Sequence, residues 1–149
     1  MSRSALPALP CMCGSFRRAA RALTQSYEQA LRPLGLRTTQ LTILQVLSRA
    51  GEVSQGQLAE MLAMDSTSLT RTVAVMRRQG WIAERPGGDR RQRWLRLAKA
   101  GETQLKRALP VWERAQSDLR RRMGEQPWKE ALQLTNRLTD LIATLGGSV

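Results

Sequence analysis

The sequence predicts a mainly α fold with a small β-hairpin, and three observations predict it. Apolar residues recur at spacings of three and four over most of the 149 residues. Between Ser54 and Gly101 lie short helices bounded by cap and stop residues, followed by two alternating runs around a Pro-Gly-Gly-Asp turn. Leu, Ala and Met dominate while aromatics make up 4% of the chain, a composition that favours helix.

The elements follow in order. Phe16, Ala20, Leu23, Tyr27, Ala30 and Leu34 form one helical stripe, with Arg17, Arg18, Arg21 and Glu28 on the other faces, and Pro33 and Gly35 end that helix near Arg32. Thr38 or Thr39 caps a second helix with Leu41, Leu44 and Leu47 inward and Gly51 closing it. Ser54 and Gln57 have the spacing of a capping box, in which each side chain bonds the other residue's backbone N–H. Leu58, Met61 and Leu62 give this third helix its buried face, and Met64-Asp65 forms a turn. Asp65 caps a fourth helix from Ser66 to about Gln79, with Leu69, Val73 and Met76 inward and Gly80 as its stop. Strands are expected over Trp81–Arg85 and Arg93–Ala98, joined by Pro86-Gly87-Gly88-Asp89. From Gly101 a long helix carries Leu105, Leu109, Trp112, Ala115, Leu119 and Met123, with a kink or a lost hydrogen bond expected at Pro110. After Gly124 and Pro127, a last helix bears a seam of Trp128, Ala131, Leu134, Leu138, Leu141 and Leu145.

Charge narrows the function. The formal net charge is +12 and the isoelectric point is near 11.5, which calls for an anionic partner. Residues 71–99 alone hold nine Lys/Arg against Glu84 and Asp89, a surplus of seven. There is no histidine, no Gly-rich phosphate loop and no paired-carboxylate site, so an enzyme is not expected, nor is a cofactor or metal. No apolar run approaches membrane-spanning length. Cys11 and Cys13 stand too close together to staple a fold, and a reducing, cytoplasmic setting is the expectation.

A helix pair of helix-turn-helix size followed by an Arg-rich hairpin suits duplex DNA. Small side chains at the start of the fourth helix (Ser66, Thr67, Ser68) let its end approach base edges or phosphates, with Thr70, Arg71, Arg77 and Arg78 on outward faces. At the hairpin tip, Arg90, Arg91 and Arg93 suit the negative potential of the minor groove, and Asp89 could hold one guanidinium in a fixed pose. A solvated basic turn and a Ser/Thr-rich surface helix would each explain half of this pattern; their succession favours DNA.

The pieces Leu34-Gly-Leu-Arg-Thr-Thr-Gln-Leu, Gln57-Leu-Ala-Glu-Met-Leu, Asp65-Ser-Thr-Ser-Leu-Thr-Arg, Gly80-Trp-Ile-Ala-Glu-Arg and Asp89-Arg-Arg-Gln-Arg, in this order and spacing, resemble the MarR family of winged-helix transcriptional regulators. The resemblance covers roughly residues 14–145. Pro7 and Pro10 break up the N-terminal run, so residues 1–12 are expected to be a flexible tail, which matches nothing general in the family; the resemblance implies a single domain over 13–145, with dimerisation helices over 13–34 and 100–145 and a winged helix-turn-helix lobe over 38–98. It implies a homodimer held through residues such as Phe16, Leu23, Trp128, Leu134, Leu138, Leu141 and Leu145. It carries DNA contact to Ser66, Thr67, Ser68, Thr70 and Arg71, and minor-groove insertion to Arg91 braced by Asp89. Two recognition helices would then read half-sites of a pseudo-palindromic operator. Relatives often have Thr at the position of Ala98, where this chain lacks that cap.

The resemblance further implies a repressor released by a small aromatic ligand or an oxidant. Tyr27, Leu31, Leu44, Leu47 and Trp112 are candidate pocket residues, each equally at home in a core. Cys11 and Cys13 are candidate redox residues, since Cys13 lies near a helix N-terminus with Arg17 and Arg18 one turn on. A non-specific architectural DNA-binding protein is the alternative, marked by steep salt dependence without sequence preference.

Overall fold

The computed structural model describes residues 7–146. The elements are α1 (Met12–Leu31), a 3-10 turn (Arg32–Leu34), α2 (Thr38–Ala50), β1 (Glu52–Ser54), α3 (Gln55–Met61), α4 (Ser66–Arg78), β2 (Ile82–Pro86), β3 (Arg93–Leu97), α5 (Lys99–Met123) and α6 (Glu125–Gly146). They fall into two compact units, one up to Trp112 and the other from Glu113.

The first unit holds the core. Leu41, Ile43, Leu44 and Leu47 of α2, Leu58 of α3, Leu69, Val73 and Met76 of α4, and Leu95 of β3 are buried together with Leu31, Leu105 and Ala108. The inward residues expected for α2 and α4 are all in this cluster. Met61 is a correction: it is 57% exposed, and Leu62 with Met64 packs against the core instead. The cause lies in the chain's exit from α3, where Ala63 turns into the left-handed region at φ 49°. Its N–H donates to the Glu60 carbonyl and that of Met64 to the Ala59 carbonyl, which wraps Leu62 and Met64 inward and leaves Met61 outside.

Local capping accounts for most element boundaries. Ser54 Oγ accepts from the Gln57 N–H at 3.1 Å while the Ser54 N–H donates to Gln57 Oε1 at 3.0 Å, closing the expected box. Asp65 Oδ1 accepts from the Ser68 N–H at 2.8 Å. The Ser68 hydroxyl and backbone N–H together hold the Asp65 carboxyl below its usual range. For α2 the N-cap is Arg37, not Thr38 or Thr39, and Gln40 reaches back to accept from the Arg37 N–H at 2.9 Å. Gly80 closes α4 at φ 75°: its N–H bonds the Arg77 carbonyl and the Trp81 N–H bonds the Met76 carbonyl, a paired closure that requires a left-handed residue between helix and strand.

The hairpin belongs to a three-stranded antiparallel sheet of order β1-β3-β2. The third strand, β1, was not expected; at three residues it is too short to display alternation, and it exists because Val53 pairs with Leu95 and Glu52 with Arg96. Glu52 also takes a two-pronged hydrogen bond from Arg85, whose guanidinium lies 5.3 Å from the Trp94 ring centroid. This charge-assisted clasp joins the outer strands across β3, lowering the Glu52 pKa and raising that of Arg85.

α5 starts two residues earlier than Gly101 and runs on through Pro110 as one helix. With no Thr at position 98, the backbone holds the start: the Ala98 N–H donates to the Trp81 carbonyl and the Glu102 N–H to the Ala98 carbonyl, both at 3.0 Å. The buried Gln104 donates from Nε2 to the Leu34 carbonyl at 2.8 Å, fastening α5 to the turn after α1.

The second unit contains the end of α5 and α6, broken at Gly124. Arg120 clasps Glu125 with two nitrogens and Lys129 adds a third contact, so the Glu125 pKa falls to about 2. In the first unit, α1 begins one residue before the boundary placed at 13. Ser15 Oγ donates to the Leu9 carbonyl and Arg18 to the Pro7 carbonyl, so residues 7–11 run back along the helix start. The first six residues of the expected tail lie outside the described residues.

Candidate nucleic-acid interface

Three segments of the first unit present the side chains that the sequence marked for DNA. The N-terminal turn of α4 exposes Ser66, Thr67 and Ser68, with Arg71 exposed one turn further on. Its unpaired N–H groups and small side chains are what a helix end needs to approach an anionic backbone. The Asp65 carboxyl already engages the backbone N–H groups of Ser68 and Thr67. Thr70, also exposed, joins two elements. Its hydroxyl donates to the Ser66 carbonyl at 2.7 Å and accepts from Gln55 Nε2 at 2.8 Å, which ties α3 to α4.

The wing tip is held by its own backbone. The Gly87 N–H donates to the Gln92 carbonyl at 2.8 Å and the Gln92 N–H to the Asp89 carbonyl at 3.0 Å. Asp89 Oδ1 accepts from the Arg91 backbone N–H at 3.2 Å. The expected clasp between this carboxylate and a guanidinium is therefore replaced by an Asx-type turn. Arg90 and Arg91 are exposed, and among the described residues neither forms an ion pair.

Arg77 and Arg93 were expected to meet DNA beside them. Both are paired with Glu84 of β2, Arg77 Nη1 at 2.7 Å and Arg93 Nε at 3.2 Å. Sequence reading counted Glu84 only as a charge. Its alternation with the buried Ile82 places it on the α4 side of the sheet, and that periodicity was the available signal.

The effector residues are scattered. Leu31 and Leu44 are sealed in the core, Trp112 packs against it, and burial raises the Tyr27 pKa. Of these five, Leu47 alone borders an open groove of about 760 Å³ whose lining also includes Leu97, Leu105, Leu109, Arg96 and Lys106. Cys11 and Cys13 are exposed free thiols at the N-cap and first turn of α1. Among the described residues no cluster of three or more Cys, Asp or Glu could hold a metal ion, and no helix is long and apolar enough to cross a membrane.

Dimer candidates occur in both units. In α1, Phe16 is half-buried and Leu23 exposed; in α6, Trp128 and Leu138 are half-buried while Leu134, Leu141 and Leu145 are exposed.

The chain's likenesses agree with this arrangement. A sequence model described as "MarR family" matches residues 34–92, which span α2 through the wing tip. The HTH-type transcriptional regulator YwoH of Bacillus subtilis is 29% identical over 83 residues, 56% of this chain and 61% of that relative, so the match spans under two thirds of its length. The structure of the M. tuberculosis transcriptional regulator MosR in complex with DNA superposes with a TM-score of 0.81 at 33% identity, covering 91% of this chain and 98% of that one. A MarR variant from E. coli complexed with operator DNA shares the fold, with a TM-score of 0.76 at 17% identity over 85% of this chain and 92% of that one. A helix end with small side chains, a wing with free arginines and a 33% identical regulator covered almost end to end lead to one conclusion: the chain belongs to the MarR family of winged-helix transcriptional regulators.

Proposed function

We propose that the protein is a homodimeric, sequence-specific DNA-binding repressor. The α4 N-terminal turn is its major-groove reader and the Arg90-Arg91 wing tip its minor-groove reader. The observation that carries this is the pairing of an exposed, small-residue helix end with two exposed arginines that, among the described residues, have no carboxylate partner. Guanidiniums without internal partners are available to displace counterions from phosphate. The complex of the 33% identical MosR with DNA supports DNA binding. Two copies joined through their exposed α1 and α6 leucines would present two such readers to a pseudo-palindromic operator in the cytoplasm. Release would follow from a small aromatic ligand or from oxidation of the exposed Cys11 or Cys13.

Fluorescence anisotropy on DNA from upstream of the protein's own gene, against a scrambled duplex, tests this reading. The expected result is preference for the upstream DNA, with Arg91→Ala weakening it by about 1–3 kcal/mol. Unchanged affinity in Arg91→Ala would remove the wing from the interface. Equal binding of the two duplexes by a protein with a steep salt dependence would favour the architectural alternative. Repeating the titration after mild peroxide treatment separates the inputs: loss of binding in wild type but not in Cys13→Ser identifies the thiol, and persistence in both points to a ligand.

A further inference from the structure

Glu84 is the one carboxylate among the described residues that bridges the recognition helix and the wing. It sits opposite Leu95 in the β2–β3 ladder, and Arg93, opposite Pro86, is its diagonal neighbour on the same sheet face. Arg77 comes from the last turn of α4, on the side of that helix that also carries Thr70 and Ala74. These three side chains, with Gln55, Glu84 and Arg93, line a cleft of about 290 Å³ between α4 and the wing. The Glu84 side chain is 17% exposed, against 54% for Arg77 and 47% for Arg93. The acid is thus sheltered while both cations hold it from the rim.

As a stabilising device such partly exposed ion pairs are weak. Their effect on DNA is larger. A guanidinium already neutralised at 2.7 or 3.2 Å must give up its carboxylate before it can take a phosphate. Non-specific affinity depends on how many cations replace condensed counterions, whatever the sequence. In a chain of formal charge +12, that sequence-independent affinity would otherwise compete with operator recognition at every site on a chromosome.

We propose that Glu84 is a specificity-determining positioning residue: it withholds Arg77 and Arg93 from DNA phosphate and fixes the wing against the recognition helix, so that sequence-independent binding is held down and both readers engage in register. This rests on the DNA-binding reading above. The balance of free and neutralised arginines then decides discrimination, and a loss of negative charge should strengthen binding to the wrong DNA.

The test measures the affinity of the full chain for a labelled duplex of random sequence across a KCl series. Glu84→Gln keeps the side chain's size and removes its charge. It should bind this duplex about tenfold more tightly, with the slope of log K against log [KCl] steeper by roughly 1–2. Arg93→Ala should reduce the slope more in the Glu84→Gln background than in wild type, which a purely structural contact would not produce. Should Glu84→Gln fail to fold by circular dichroism, the wild-type background still decides: Arg93→Ala should cost less slope than Arg91→Ala. Equal losses from Arg93→Ala and Arg91→Ala, or a Glu84→Gln slope and affinity matching wild type, would overturn the proposal. A wild-type protein with no salt-dependent affinity for duplex would instead remove the DNA-binding reading on which it stands.

Discussion

Gly101→Ala is expected to remove a large share of the winged lobe's stability. A Cβ at this position would lie 2.1 Å from the Trp81 carbonyl oxygen and 2.9 Å from its carbon. Both are backbone atoms, so no side chain can swing aside. The alternative is for α5 to lift away, and two hydrogen bonds oppose that: the Ala98 N–H to the Trp81 carbonyl at 3.0 Å, and Gln104 Nε2 to the Leu34 carbonyl at 2.8 Å. Overpacking costs about 1–3 kcal/mol. Each hydrogen bond lost with a buried partner left unpaired adds about 1 kcal/mol or more. A loss of about 3–5 kcal/mol is therefore expected, against a total stability of roughly 5–15 kcal/mol for an ordinary domain. Urea denaturation followed by circular dichroism reads it directly. The control is Ala100→Gly on the exposed side of the same turn, which should cost about 1 kcal/mol or less. A midpoint for Gly101→Ala within error of the control would show that α5 accommodates the methyl group, and the close approach would lose its meaning.

The second large effect concerns assembly. Leu134 and Leu141 of α6 are 57% and 55% exposed in the single chain, seven residues apart on the helical seam. Were α6 an ordinary surface helix, replacing both by Asp would alter little beyond a few tenths of a kcal/mol. Were the seam covered by a second copy, each leucine would contribute about 1.5–3 kcal/mol of apolar burial. Each aspartate would in addition have to be desolvated without a partner. The Leu134→Asp, Leu141→Asp double variant should then sediment as a monomer at micromolar concentration, where wild type should sediment as a dimer. Operator affinity should fall with it, because a lone copy would present one recognition helix and one wing in place of two of each. An undisturbed dimer in the double variant would move the assembly surface away from α6.

Much of the fold was legible because it is set within a few residues. The Ser54–Gln57 box, the Asp65 cap and the Gly80 closure each depend on side chains and backbone within four residues, and each formed where expected. The inward faces of α2 and α4 were legible because a helix repeats faster than its neighbours change. Failures began where a partner from elsewhere decides. β1 is a strand only because β3 lies beside it, and α5 needs glycine at 101 only because Trp81 approaches; Met61 is a local exception, exposed because the non-glycine Ala63 two residues on takes a left-handed turn that its side chain does not announce.

The interface divides along the same line. Clustered positive charge in residues 71–99, small residues at a helix start and a Gly-rich basic turn are properties of composition and order, and they pointed to DNA without coordinates. Which of those cations are free is not such a property. Arg77, Arg91 and Arg93 are indistinguishable as letters, yet Glu84 binds the first and third and leaves Arg91 to solvent. Charge adds along a sequence regardless of order in space, but Coulomb attraction at 3 Å and at 15 Å differs about fivefold even before screening. The sequence by itself thus determined the sign of the charge offered to a partner and the helices that carry it. Tertiary structure decided which arginines are free for it, because only the docking of β2 against α4 brings a carboxylate within reach.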